Sequence, residues 1–171
     1  MIFHEEQRFT QSKWIWIVLA ILILSMLPLV WGTYDQLVRD KPFGDDPMSD
    51  MALILTDLLT FGILGTIAAL LFYARLITEV HDDGIHVRYP PFVRKWEIYK
   101  WADLAEVEVR KYKPIREYGG WGWRMGLFFR GRAYNVSGNK GLQLVTTAGK
   151  RLMIGTQRPE ELATAIAQVR R

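Results

Sequence analysis

The chain has 171 residues, 22 Lys and Arg against 18 Asp and Glu, and no cysteine. That length holds one compact domain plus a membrane anchor but not two large domains, and the missing cysteine excludes disulfides, thiolate metal sites and thiol nucleophiles. From Arg75 onward eighteen Lys and Arg face ten Asp and Glu, so the basicity sits in the second part of the chain, where it suits an anionic membrane surface or nucleic acid.

Residues 1–13, MIFHEEQRFTQSK, read as a polar cytoplasmic segment. An apolar run follows from Trp14 to Trp31, with Trp14, Trp16 and Trp31 near its ends. Indole rings favour the headgroup level, so the run reads as a first membrane helix over about 14–32. Glu5 and Glu6 ahead of it, and the lack of an A-x-A-like site behind it, argue against a cleaved signal peptide. Residues 33–50 read as an external loop carrying five Asp against Arg39 and Lys41. Met51–Tyr73, MALILTDLLTFGILGTIAALLFY, is the second membrane helix (about 51–75). At about 1.5 Å of rise per residue it crosses a hydrocarbon core roughly 30 Å thick with length left for tilt. The acidic loop outside and the basic domain inside place both termini in the cytoplasm of a multi-pass inner-membrane protein.

Asp57 is the ionisable group set well inside the second run. An intramembrane carboxylate suggests a proton or ion role; the plainer expectation is that it reaches interfacial water or the hydroxyls of Thr56 and Thr60. Gly65 and Ala69, with Gly62 nearby, form a small-xxx-small pair that lets another helix approach, here the hairpin partner in preference to a second copy.

From Leu76 the apolar period becomes two. LITEVHDDGIHVRY reads as a hairpin with Asp83-Gly84 in a type I′ turn, pairing Asp82 with Ile85, His81 with His86, Val80 with Val87 and Glu79 with Arg88. Further strands are expected at Arg94–Tyr99, Leu104–Tyr112, Arg124–Phe129, Ala133–Val136, Leu142–Thr146 and Leu152–Ile154, which means an antiparallel barrel or sandwich. The last segment, 159–170, is an amphipathic helix that starts at Pro159, with Glu160 and Glu161 at its positive end and Arg170 and Arg171 at the other.

This layout, with the opening EEQRF, the strand-turn VHDDGIHVRY, the WADL corner, the YGGWGWR loop and the final GTQRPEEL, resembles the bacterial pleckstrin-homology-like membrane proteins. The resemblance covers about residues 5–170. It implies a two-helix transmembrane hairpin (14–77) followed by a cytoplasmic all-β PH-like barrel of seven or so antiparallel strands (76–171), with the C-terminal helix across one opening. It carries no agreed set of functional residues.

The YGGWGWR loop is the most distinctive stretch. Trp121 and Trp123 lie among three glycines and close in sequence to Lys111, Lys113, Arg116 and Arg124, which makes these six residues the candidate lipid- or partner-binding surface. The alternative is a tight bend that buries both Trp. His81 and His86 could meet across the hairpin as metal ligands, but only His4 remains as a further histidine, so the expectation is solvated hairpin side chains and no metal. No phosphate loop or catalytic triad is present, and Glu106 and Glu108 alternate as on a solvated strand face. No cofactor, nucleic acid or small-molecule substrate is expected. The expected function is non-enzymatic: a domain held at the cytoplasmic membrane surface for protein interaction or scaffolding, with anionic-lipid contact and a protein partner or a second copy. The alternative is an accessory transporter subunit, or an ion- or metal-coupled protein using Asp57 or the His81/His86 pair.

Overall fold

The structure is a computed structural model that describes residues 1–125 and 131–170. The part of the expected strand beyond Met125, and Arg171, lie outside the described residues. The chain forms two compact units, Ser12–Phe72 on the one hand and Met1–Gln11 with Tyr73–Arg171 on the other.

The helical unit contains α1 (Lys13–Arg39) and α2 (Asp50–Tyr73), both long and apolar enough to cross a membrane. Most of their apolar side chains, Ile17, Leu24, Leu55 and Leu59 among them, are exposed. The first helix runs on to Arg39, so residues 33–39 are helical where a loop is expected. The reason is local: Asp35 and Arg39 form an i,i+4 ion pair at 3.0 Å, and Asp40 then closes the helix in the left-handed region at φ 51°. The amide of Gln36 reaches the Met48 carbonyl and the Asp50 carboxylate, both at 2.8 Å, and ties the shortened loop to α1. The small residues of α2 do not serve close approach within this unit. A Cβ at Gly62 or Gly65 would meet nothing within 4 Å, and Gly65 instead lines a groove of about 390 Å³ with Trp16, Leu19 and Ile23 of α1.

The β unit opens with a strand. β1 (Phe3–Arg8) places Phe3, Glu5 and Gln7 inward and pairs antiparallel with β2 (Arg75–Val80), with Arg8 opposite Arg75. The polar opening segment is therefore an integral part of the β structure. Next come β3 (Gly84–Tyr89), β4 (Val93–Lys100), a 3-10 turn at Trp101–Asp103, β5 (Leu104–Lys111) and a short α3 (Pro114–Tyr118). β6 (Gly122–Met125), β7 (Arg132–Asn135), β8 (Lys140–Thr146), β9 (Arg151–Gly155) and α4 (Pro159–Val169) complete it.

These strands make two sheets, β1-β2-β3-β4 and β5-β8-β9-β7-β6. Among the described residues they do not close into one barrel, because the Trp101–Asp103 turn releases the chain from the first sheet and starts the second without a β4–β5 ladder. The pairing is also not purely antiparallel, since β7 and β9 run parallel. Leu76, Val80, Ile85, Val87 and Tyr89 of the first sheet and Leu142, Leu144, Leu152 and Ile154 of the second are buried. α4 packs against β1, β5 and β8, so it touches both sheets. Its buried face is Leu162, Ala165 and Ile166.

The first hairpin turns one residue earlier than expected. His81 and Gly84 exchange backbone hydrogen bonds at 2.9 and 3.3 Å, leaving Asp82-Asp83 as the turn. The register accordingly pairs Val80 with Ile85, Glu79 with His86 and Ile77 with Arg88. The cause lies in the neighbouring strand: a Cβ at Gly84 would run into the Tyr99 carbonyl. Glycine is needed here for close approach of β4, not for a left-handed turn. A shift of two residues keeps every side chain on its face but changes its partner.

Candidate functional site

The glycine-rich loop is fixed from both sides. Pro114 begins α3 at a position where its missing N–H costs nothing, and Gly119 ends it in the left-handed region at φ 74°. Glu117, buried beneath, accepts from the Lys113 backbone N–H at 2.8 Å and from the Arg110 guanidinium at 2.9 Å. The same Arg110 group donates to Gln143 at 3.0 Å. On the far side, the Gly122 N–H donates to the Asn135 side chain at 2.8 Å, whose amide donates to the Tyr112 hydroxyl at 2.9 Å. Asn135 is fully buried, so the Asn135-Val136-Ser137 triplet is no accessible glycosylation acceptor in the folded chain.

On this support the two tryptophans are displayed rather than entombed. Trp121 is half-buried, its indole N–H donating to the Gly138 carbonyl at 2.9 Å. Trp123 is 45% exposed on β6, the edge strand of its sheet, and stacks on Phe92 of the β3–β4 turn with rings 8° from parallel and 6.5 Å apart. Phe92 is itself 47% exposed, and Met125 and Ile115 are exposed too. The bend that buries both Trp is thus not what the sequence forms. Arg124 curls back to donate to the Trp121 carbonyl at 3.0 Å. Lys111, Lys113 and Arg116 are exposed, on the end of β5, ahead of α3 and on α3. Trp121 and Arg124 are thereby joined across the start of β6, with Trp123 between them on that strand. Phe92 completes the stack and was not among the sequence candidates; the apolar residue placed after Pro90-Pro91 in a turn is the signal for it.

A second cluster lies on the outer face of the first sheet. His4, Glu79 and His86 stand opposite one another on β1, β2 and β3. His81 follows two residues after Glu79. The His81 and His86 rings stack at 4.3 Å. Glu79 meets His81 Nε2 at 2.9 Å and His4 Nδ1 at 3.2 Å. Burial pushes the Glu79 carboxyl up, but its hydrogen bonds to His81 and His4 outweigh this and hold it below the usual glutamate value. The register change is what brings Glu79 opposite His86.

In the helical unit Asp57 is buried and accepts from the Thr33 hydroxyl of α1, while Thr56 donates to the Ala52 carbonyl of its own helix. The partner of Asp57 is therefore Thr33 and not Thr56. Among the described residues its other oxygen, Oδ1, has no hydrogen-bond partner.

A pair of apolar helices joined to a two-sheet β unit with a closing C-terminal helix defines the class of protein. The chain belongs to a family of unknown function, DUF6141, whose model matches residues 1–170. No curated protein and no solved structure matches it.

Proposed function

We propose that this is an integral membrane protein without catalytic activity that presents a pleckstrin-homology-like domain at the cytoplasmic membrane surface for protein interaction. The observation that carries this reading is the Trp123–Phe92 stack, two large rings from β6 and the β3–β4 turn that are each left about half exposed. Rigid exposed aromatics lose little side-chain entropy on binding and are the residues that anchor interfaces. The neighbouring cations support a further contact with anionic lipid, at about 1 kcal/mol per basic residue near the surface.

The β1–β2 ladder supports the topology. Arg8 lies opposite Arg75, so the helical segment leaves and re-enters the β unit at paired strand ends, which suits two crossings and both termini on one side. Arg8, Lys13, Arg75 and Arg88 flank the helices on that side against Arg39 and Lys41 at the connecting loop, an excess of cations that supports the cytoplasm for it.

A photocrosslinking residue placed at position 123 of the full chain in native membranes, with the same residue at exposed Glu106 as control, tests the proposal. A discrete protein adduct at 123 and not at 106 upholds it. Adducts to lipid alone reduce the surface to a membrane contact, and equal labelling at both positions overturns the interaction reading.

A further inference from the structure

We infer that Glu79, His81 and His86 form a binding site for one divalent transition cation of the zinc class, with His4 as the adjoining fourth donor. One ligand atom from each of the first three lies within 4.8 Å of the others. A tetrahedral ion with bonds of about 2.0–2.1 Å spaces its ligands about 3.3 Å apart, so side-chain rotations on a fixed backbone close the difference. His4 Nδ1 already sits 3.2 Å from one Glu79 oxygen while His81 Nε2 holds the other at 2.9 Å. Glu79, His81 and His86 therefore converge from the β2–β3 hairpin, and His4 of β1 adjoins them through Glu79.

The chemistry of the set selects the ion. Imidazole nitrogens with a single carboxylate suit Zn2+, Cu2+ or Ni2+, whereas Mg2+ and Ca2+ ask for oxygen ligands. The Glu79, His81 and His86 side chains are only 17–26% exposed, sheltered from bulk water yet open to an entering ion. Asp83 meets His86 Nε2 at 3.1 Å and brings a second carboxylate to the rim; outer-shell carboxylates of this kind orient ligating imidazoles. Arg88, two residues from His86 on the same strand face, is drawn off over the Trp96 ring at 4.3 Å. A bound ion would clip β1, which precedes the two apolar helices, to the β2–β3 hairpin that follows them. The site stands apart from the Trp123 surface and does not rest on it.

The test is a titration of the full chain in detergent, its affinity tag removed, with Zn2+ by calorimetry and with Co2+ by visible absorption. One ion per chain is expected, with His81→Ala and His86→Ala each weakening binding at least about tenfold, Trp123→Ala leaving it unchanged, and Mg2+ not competing. Circular dichroism without metal checks that the variants fold. No stoichiometric Zn2+ binding, or binding that survives in the His81→Ala/His86→Ala double variant, overturns the inference. Should the double variant not fold, wild-type Co2+ decides. An intense visible band from low-coordinate, nitrogen-ligated cobalt upholds the site, and the pale spectrum of the hydrated ion overturns it.

Discussion

Glu5 accepts a hydrogen bond at 2.6 Å from the hydroxyl of Thr156, 151 residues further along the chain. Its second oxygen accepts from the Gln157 backbone N–H at 2.7 Å, so both oxygens of a buried carboxylate are satisfied at the entry to α4. Gln7 repeats the connection, donating to the Gly155 carbonyl at 2.7 Å. The first strand is thereby held to the end of β9 and to the loop that leads into α4.

Glu5→Ala removes both bonds and strands two donors. Hydrogen bonds to a charged group are worth about 1.5–3 kcal/mol, so the variant is expected to melt several degrees lower. Differential scanning calorimetry of the full chain in detergent measures this. An unchanged melting temperature would show that the Glu5 contacts contribute nothing to stability.

Alkaline pH is the second lever. Burial is the main cause that pushes the hydroxyls of Tyr112 and Tyr134 up to about 12, and it raises Tyr89 and Tyr99 as well. A free tyrosine ionises near pH 10. The folded state therefore keeps protons that the unfolded state gives up. The stability these groups contribute is complete below about pH 10 and is lost as pH rises through their folded values. Phenolate absorbance followed together with circular dichroism should show part of the seven tyrosines ionising only as the β unit unfolds. Titration of all seven together near pH 10 with native dichroism would contradict this.

Glycines on the two units respond oppositely. Gly84→Ala forces a methyl into the Tyr99 backbone and should cost about 1–3 kcal/mol by overpacking. Gly65→Ala meets open space and gains helix propensity of up to about 1 kcal/mol. Thermal melts of the two variants beside the wild type check the pair. Equal effects would remove the close-approach account of Gly84.

Where local pattern and burial agree, the fold is legible. Both apolar helices, the strands from Leu76 to Lys111 and the Pro159 start of α4 follow from period, length and capping residues. β1 escapes because its inward positions Glu5 and Gln7 are polar and find their partners at the end of β9 and on the loop after it, which no local window contains. The separation into two sheets and the parallel β7–β9 pair depend on long-range pairing, to which strand propensity is blind. At the glycine-rich loop, composition marks the two tryptophans, but only tertiary placement tells that Trp123 lies on Phe92. The histidine cluster needs both the register set by the Gly84–Tyr99 approach and the strand that carries His4.

The ladder between β1 and β2 also imposes an order of manufacture. Phe3–Arg8 leaves the ribosome ahead of both apolar helices, yet the strand it pairs with is made only after those helices have been synthesised. Until then the earliest strand of the domain has no sheet to join, and Glu5 waits longer still for Thr156. The β unit is therefore completed only once the helical excursion has been made and the chain has come back to where it started.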